Sequence, residues 1–300
     1  MKKNRLGGSE LYVSEIGLGC MSLGTEETKA TALLGEALDR GVTLLDTADL
    51  YDGGRNEELV GKAIRGRREQ VVVATKVGNR RIPGQDGWTW DASRAYILSA
   101  VRDSLKRLGT DYIDLYQLHG GTLDDPIDET IEAFEQLKRE GVIRAYGISS
   151  IRPNVIREYV ARSGIASVMN QYSIVDRRAE ETVLPLLAEK GISVIARGPV
   201  ASGALADGRE PAKGVLEYEL DELVALRGEL QQLTSPARSL SQLAIRYSLG
   251  HPTVAAAIPG ASSREQLLQN LAAAEVPPLS DAELEAIRGA SKASRYALHR

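Results

Sequence analysis

Cysteine, histidine and large aromatic residues are scarce in this chain. Its 300 residues include one cysteine, Cys20, together with three histidines, one phenylalanine and two tryptophans. A single cysteine excludes an intramolecular disulfide, and so few cysteines and histidines disfavour a zinc cluster, so we expect no metal site. Because bulky aromatic side chains are rare, leucine, isoleucine, valine and alanine must fill the core, as they do in parallel sheets and barrels.

The chain also lacks a strong charge imbalance and long apolar runs. Lysine and arginine total 37 and aspartate and glutamate total 41, which gives a net charge of −4. This balance argues against general binding to nucleic acid or to anionic membranes. The basic residues in 1–5 are not followed by the apolar core of a signal peptide, and no run is long enough to span a bilayer. We therefore expect a soluble cytoplasmic protein, whose oligomeric state the sequence leaves open.

Short apolar runs alternate with longer amphipathic stretches along the chain. A length of 300 residues fits either two domains or one α/β barrel. Eight strand–helix units predict a parallel (β/α)8 TIM barrel, with residues 1–300 as a single domain and the active site at the carboxyl ends of the strands. The predicted strands are residues 14–19, 42–46, 71–76, 112–118, 142–148, 166–170, 192–196 and 254–258, and the predicted helices are residues 28–40, 56–65, 92–108, 126–140, 153–163, 180–190, 239–249 and 263–273.

An open, doubly wound sheet is the alternative architecture. Such sheets usually carry a glycine fingerprint after the first strand, but the segment from Gly17 to Ser22 matches that fingerprint poorly. A phosphate-binding P-loop is also absent, because Ala63 follows Gly61-Lys62. Two long connections, residues 77–91 and 199–237, remain, and long loops in a compact barrel usually contribute to the site.

Polar residues follow the ends of three neighbouring predicted strands. Asp46 ends the second strand, and Tyr51 lies in the loop after it. Lys76 ends the third strand, and His119 follows the fourth. Each of these residues alone has a plain structural explanation as a cap, turn or rim residue. Their occurrence together at successive strand ends favours one site at the barrel mouth.

The chemistry of this set suits proton donation to an oxygen that is gaining charge. A phenol with a pKa near ~10 is a poor acid at neutrality, and a neighbouring lysine cation lowers that pKa. A carboxylate such as Asp46 would hold Lys76 charged and oriented. A histidine can donate a hydrogen bond to a carbonyl oxygen, so the set fits carbonyl reduction.

These residues lie in segments that resemble the aldo-keto reductase superfamily, in particular its bacterial NADP(H)-dependent oxidoreductases. The resemblance extends from about Leu6 to Leu284 and implies a barrel that binds NADP(H) without a Rossmann fold. It implies hydride transfer to an aldehyde or ketone, with Tyr51 as the general acid. Lys76 would lower the pKa of Tyr51, Asp46 would pair with Lys76, and His119 would orient the carbonyl. The matching segments are residues 45–51 with Asn56, Glu57 and Gly61, then 73–76, 111–119, 147–150 and 258–263.

The resemblance also implies a set of cofactor contacts. Met169 stands where relatives often place a glutamine against the nicotinamide amide, so Gln171 is the substitute candidate. Gly260 and Gln266 stand where many relatives carry Lys and Arg, so Arg264 is the candidate for the 2′-phosphate. We expect NADPH as the cofactor, with NADH as the alternative. The expected contacts are Gly19, Met21, Asp46, Ser149, Ser150, Gln171, Arg197, Gly198, Pro199, Val200, Ser202, Pro259, Gly260, Ser262, Ser263, Arg264, Gln266, Gln269 and Asn270.

Two tryptophans and two glycines are expected at the substrate pocket. Trp88 and Trp90 follow the third predicted strand and favour a pocket wall, although packing is the commoner role of a loop aromatic. Gly120 and Gly121 stand where relatives carry bulkier residues, so we expect a wider pocket there. Two other functions stay open at this point: a nicotinamide-binding redox sensor or regulatory partner, and a lyase or isomerase that uses Lys76 as a Schiff base.

Overall fold

The computed structural model describes residues 1–82 and 87–300. Eight parallel strands form the central sheet, and each of them pairs with the barrel strand that follows it along the chain. Backbone bridges from Ile16 to Ala257 and from Gly19 to Gly260 join its first and last strands, so the sheet closes into a barrel. The predicted (β/α)8 fold is confirmed and the open sheet is excluded. The barrel strands are β3 (Leu18–Gly19), β4 (Leu44–Asp46), β5 (Val72–Val77), β8 (Ile113–Leu118), β9 (Ile143–Ser149), β10 (Ser167–Gln171), β11 (Ser193–Arg197) and β12 (Val254–Ile258).

Ten helices surround or flank these strands. Each of the eight predicted helices overlaps an observed one, while a twelve-residue helix in the second long connection and a C-terminal helix bring the number to ten among the described residues. The observed helices are α1 (Glu27–Asp39), α2 (Arg55–Ala63), α3 (Arg94–Leu108), α4 (Ile127–Arg139), α5 (Pro153–Arg162), α6 (Val183–Glu189), α7 (Leu220–Gln231), α8 (Leu240–Leu249), α9 (Arg264–Ala272) and α10 (Asp281–Ala290). None of them is long and apolar enough to cross a membrane.

The first predicted strand, residues 14–19, is wrong in its extent. Its beginning belongs to an antiparallel hairpin of β1 (Lys3–Arg5) and β2 (Tyr12–Ser14), and only β3 joins the barrel. Ser14 pairs with Lys3 in this hairpin. Its backbone N–H donates to Thr43 Oγ1 at 2.8 Å, and the N–H of Thr43 donates to Ser14 Oγ at 2.9 Å, which ties the end of the hairpin to the segment before β4. This side-chain pairing is a tertiary contact that apolar periodicity does not reveal.

The hairpin closes one end of the barrel. Its apolar side chains Leu6, Leu11 and Val13 are buried and pack in one cluster with residues of the barrel interior. Larger side chains such as Leu44, Leu115 and Ile195 make up most of that cluster, and five of its fourteen residues are alanines. The amino-terminal end of the barrel is therefore plugged, and the opposite mouth is the open end.

A second hairpin stands at the open mouth. It pairs β6 (Asn79–Arg81) with β7 (Trp88–Trp90) in antiparallel register, with Asn79 opposite Trp90 and Arg81 opposite Trp88. It lies within the connection 77–91, which the sequence predicted only as a long loop. The hairpin therefore brings both tryptophans of the chain beside the ends of the barrel strands.

Candidate active site

A cavity of about 1180 Å³ opens at the carboxyl ends of the strands. Asp46, Tyr51 and His119 line it, while Lys76 lies directly behind them. This position agrees with the general rule for barrel proteins, in which the loops after the strands form the site. The structure therefore brings the four residues from three strand ends together.

The ammonium group of Lys76 is the centre of the arrangement. It donates to Asp46 Oδ2 at 2.8 Å, to the Thr47 carbonyl at 2.7 Å and to the Tyr51 hydroxyl at 3.3 Å. Lys76 is 1% exposed and Asp46 3% exposed. A buried cation needs a paired anion, and Asp46 supplies it. The lysine charge is thereby fixed beside the phenol.

The pKa values of these groups follow from burial and from their mutual charges. Burial alone would favour the neutral amine, but Asp46 and Tyr51 raise the pKa of Lys76 above its ordinary value. Burial raises the pKa of Asp46, although the charge of Lys76 opposes that shift. Burial likewise raises the pKa of Tyr51, and Lys76 only partly offsets it. Lys76 therefore lowers the pKa of Tyr51, as expected from the sequence, but desolvation outweighs the lysine charge and the pKa of Tyr51 stays above its ordinary value.

His119 stands beside Tyr51 as a neutral imidazole. The two rings meet edge to face, with their centroids 5.9 Å apart. Burial, together with the positive charges of Lys76 and Arg197, lowers the pKa of His119 to about 3. Its Nδ1 atom is buried and has no hydrogen-bond partner among the described residues. At neutral pH the ring can therefore donate a hydrogen bond from one nitrogen, but it carries no charge.

Because the pKa of His119 is about 3, ionisation of this ring should not shape the activity near neutrality. We expect the pH profile of kcat/KM between pH 5 and 8 to keep its shape when His119 is replaced by Asn, while its height falls. The measurement is cofactor oxidation with a neutral aldehyde over that range. An inflection near pH 6.5 that the His119→Asn variant lacks would contradict the neutral imidazole. Asp49→Asn is the control for any inflection that remains, because the pKa of Asp49 is about 7.

A buried polar cluster supports the loop that carries Tyr51. The Asp49 side chain is nearly buried, and desolvation together with the charge of Glu57 raises its pKa. Glu57 accepts hydrogen bonds from Thr75 Oγ1 and Arg107 Nε, both at 2.6 Å. Asp49, Asn56 and Glu57 belong to the motif noted in the sequence, whereas Arg107 carries no signal there. Their grouping depends on the packing of α2 against α3.

The backbone directly after Tyr51 is unusual. Asp52, Gly53 and Gly54 are consecutive residues with positive φ values of 48°, 68° and 90°. A Cβ on Gly54 would come within 2.6 Å of Arg107 Cδ, so the loop is closely packed. Glycine adopts such angles without strain, whereas Asp52 adopts a conformation that non-glycine residues rarely take. Tyr51 is thus held by a tightly specified turn.

The structure brings most of the expected cofactor residues to the cavity wall and leaves three away from it. Gln171, Ser263 and Arg264 do not line the cavity. Ser263 caps α9 by accepting a hydrogen bond from Gln266 N, and Arg264 donates twice to Glu36, at 2.6 and 2.8 Å. The expected residues that line it are Gly19, Met21, Asp46, Ser149, Ser150, Arg197, Gly198, Pro199, Val200, Ser202, Pro259, Gly260, Ser262, Gln266, Gln269 and Asn270.

The wall after β11 and β12 suits a phosphate-bearing cofactor. Arg197 is largely buried, and among the described residues no carboxylate oxygen lies within 4.0 Å of its guanidinium. Burial lowers the pKa of Arg197, and the charges of Tyr51 and Asp176 only partly oppose that shift. The N-terminus of α9 follows directly after the wall residues Gly260 and Ser262, and helix N-termini in this part of a barrel favour phosphate. The donor set therefore fits an anionic dinucleotide.

The pocket wall near His119 contains both tryptophans. Trp88 and Trp90 line the cavity, and Trp90 Nε1 donates to Asp125 Oδ1 at 2.7 Å. A Cβ on Gly120 would lie 3.3 Å from the Trp90 ring. The expectation that the two glycines widen the pocket is wrong at Gly120, because the indole of Trp90 fills the space. The sequence analysis did not single out Thr122, Ile151, Arg152 or Arg209, which also line the wall.

The closed barrel and the buried ion pair of Asp46 and Lys76 at its open mouth define a barrel oxidoreductase. A family model described as the aldo/keto reductase family matches residues 15–292, so the chain belongs to the aldo/keto reductase family.

Similar proteins agree with this assignment. The chain is 54% identical over the full length of both proteins to the uncharacterized oxidoreductase YqkF of Bacillus subtilis. It is 57% identical to the holo form of aldo-keto reductase AKR11C1 from Bacillus halodurans, with a TM-score of 0.96 over 100% of this chain and 99% of that one. A Klebsiella pneumoniae aldo/keto reductase, solved with NADP and acetate, is 31% identical with a TM-score of 0.80 over 99% and 98% of the two chains.

Proposed function

We propose that this protein reduces aldehydes or ketones to alcohols with NADPH, and that Tyr51 is the general acid. The observation that carries the proposal is the position of Lys76 Nζ, 2.8 Å from Asp46 Oδ2 and 3.3 Å from the Tyr51 hydroxyl. A phenol held against a buried cation is placed to give up its proton as negative charge develops on a nearby oxygen. This arrangement has little purpose in a purely structural core.

The proton transfer follows from these contacts. When bound, the nicotinamide supplies a hydride to the carbonyl carbon, and the carbonyl oxygen gains negative charge. Tyr51 donates its proton to that oxygen, and Lys76 stabilises the phenolate that remains. Asp46 keeps Lys76 protonated and fixed in direction. Preorganised charges in a buried site are worth more than in water, because little solvent has to reorient.

His119 orients the carbonyl in this scheme and does not act as the acid. A histidine with a pKa of about 3 has no second proton to give at neutral pH. As a neutral donor it can hold the carbonyl oxygen beside the Tyr51 hydroxyl. The Schiff-base alternative is disfavoured, because the raised pKa of Lys76 keeps its amine protonated and therefore poorly nucleophilic.

One experiment separates the reductase from a nicotinamide-binding sensor or regulatory partner. Oxidation of NADPH and NADH is followed side by side with an activated aromatic aldehyde and with a dicarbonyl. Turnover that depends on Tyr51 supports the reductase. Tight cofactor binding without turnover across a broad carbonyl panel would reject it in favour of the sensor.

Arg264 does not line the cavity, but it follows the lining residue Ser262 by two positions, and we propose it as the partner of the 2′-phosphate of NADPH. Glu36 competes for that arginine. We expect Arg264→Ala to weaken NADPH several-fold more than NADH. Glu36→Gln is the matched variant: it should tighten NADPH and leave NADH unchanged, because it frees the guanidinium. Dissociation constants from fluorescence titration measure both. Equal effects on the two cofactors would remove Arg264 from this role.

A further inference from the structure

Arg152 is a third arginine on the cavity wall, and it belongs to a different part of that wall from Arg197 and Arg209. Arg197 ends β11, and the guanidinium of Arg209 lies against Gly203 in the connection that follows β11. Arg152 instead follows β9, and its Nη1 atom donates to the Gly121 carbonyl at 2.6 Å. That carbonyl lies two residues after His119. Arg152 is therefore on the substrate side of the cavity.

The guanidinium of Arg152 is anchored at a fixed point of the backbone. Gly121 has a φ of +111°, and a Cβ there would come within 2.9 Å of Val155 Cγ1. The backbone N–H of Arg152 donates to Ser150 Oγ at 3.2 Å, and Pro153 follows it as the first residue of α5. The backbone is therefore fixed both at Gly121 and at Arg152. The Arg152 side chain loses little further conformational entropy when a ligand binds.

The charge of Arg152 is not neutralised by the described part of the protein. Among the residues described, no carboxylate oxygen lies within 4.0 Å of its guanidinium. Asp125, on the neighbouring loop, accepts hydrogen bonds from Trp90 Nε1, Thr122 N and Thr122 Oγ1. Its carboxylate is therefore engaged in holding Trp90. A guanidinium has five N–H donors, so most of those of Arg152 remain for a ligand with a flat, forked anionic group.

The loop that accepts the Arg152 hydrogen bond also packs against the ring of Trp90. The Trp90 ring packs against the backbone of two glycines. A Cβ on Gly78 would come within 2.6 Å of the ring, and a Cβ on Gly120 within 3.3 Å. The hydrogen bond from Trp90 Nε1 to Asp125 fixes the orientation of the indole ring. An indole held in this way favours a planar or apolar group next to it.

We propose that the substrates of this site are carbonyl compounds that carry a carboxylate, with a planar or apolar spacer between the two groups. Arg152 binds the carboxylate, Trp90 contacts the spacer, and the carbonyl oxygen lies at Tyr51 and His119. This inference rests on the proposed reductase function, which it deepens by naming the substrate class.

The test compares aldehydes that differ only in charge. 3- and 4-Carboxybenzaldehyde are each paired with the neutral 3- or 4-formylbenzamide, and kcat/KM is measured for the holoenzyme. We expect at least one acid to be preferred over its amide by about tenfold to hundredfold, the range of one charged hydrogen bond. Arg152→Gln should abolish that preference by raising KM for the acid more than KM for the amide. Arg152→Lys should retain part of the preference.

Arg157→Gln is the matched control. Arg157 is exposed on α5, the helix that begins directly after Arg152, and its replacement removes the same charge. It should leave the acid-to-amide ratio unchanged. A wild-type enzyme without preference for either acid, or an Arg152→Gln variant that keeps the preference, would overturn the proposal. Thermal unfolding verifies that the variants are folded.

A binding readout keeps this inference separate from the reductase proposal. The chain has two tryptophans, and both line the cavity, so intrinsic fluorescence reports directly on the site. 3- and 4-(Hydroxymethyl)benzoate should bind at least tenfold more tightly than the corresponding amides, and Arg152→Gln should remove the difference. If no aldehyde is reduced yet this difference is present, the reductase proposal fails and the carboxylate site stands. If aldehydes are reduced but both differences are absent, the carboxylate site fails alone.

Discussion

Replacing Tyr51 with Phe should lower kcat for aldehyde reduction by about 10²–10⁴-fold, the contribution of a positioned general acid. The variant removes one oxygen and leaves the ring in place beside His119. Lys76 keeps its bonds to Asp46 and to the Thr47 carbonyl, so the ion pair should remain intact. NADPH affinity is therefore expected to change little. The loss should be confined to the chemical step.

Single-turnover kinetics with saturating NADPH measure this effect. Tyr112→Phe is the control, because it removes the same oxygen from a tyrosine that stands before β8, away from the residues of the mouth. Its buried hydroxyl has no partner among the described residues, so no hydrogen bond is lost there. It should retain wild-type turnover. Full activity in Tyr51→Phe would reject the proton-donor role, and a large loss of cofactor affinity would show that the substitution acts on binding.

Replacing Lys76 with Met should nearly abolish reduction and also destabilise the fold. Asp46 would be left buried without its cation, and breaking a buried pair from one side costs about 3–5 kcal/mol. The unpaired Asp46 would be driven to take up a proton, which raises its pKa in the folded state far above that in the unfolded state. The unfolding free energy of the variant should therefore fall as pH rises from 4 to 8.

The double variant Asp46→Asn, Lys76→Met separates the two effects. It removes both charges, so most of the stability should return and its pH dependence should disappear, while activity stays lost. Chemical denaturation at pH 5 and pH 8 measures the difference. A Lys76→Met variant as stable as wild type at pH 8 would contradict the assignment of a buried ion pair. Recovery of activity in the double variant would contradict the role of the lysine charge.

Much of the fold could be predicted because barrel strands and their helices carry local signals. Helix ends, for example, can be predicted without any tertiary contact. A glycine follows the end of α3 at Gly109, where φ is 62°, and a serine caps the start of α8 at Ser239. The two hairpins could not be predicted in this way. Each hairpin strand has only three residues, too few for an alternating pattern to stand out.

The prediction about Gly120 shows a different limit. The sequence correctly marks a position without a side chain, but it does not say what occupies the space. Trp90 is 30 residues away along the chain and reaches Gly120 only because β6 and β7 pair. In the same way, the pKa of Tyr51 depends on how deeply the ring is buried, and burial is a property of the assembled barrel.

The sequence by itself determined the barrel and the four polar residues at its mouth. Parallel strands of a barrel all end at the same edge, so position along the chain fixes which side chains can meet. Only the tertiary structure decided how those side chains are charged and which neighbours they have. Distances between segments far apart in the chain decide the desolvation of the site and the neutral state of His119. They also decide that Arg264 pairs with Glu36 and that Arg152 has no carboxylate within 4.0 Å among the described residues. Electrostatic energies change steeply with such distances and with burial, and neither is encoded in local sequence patterns.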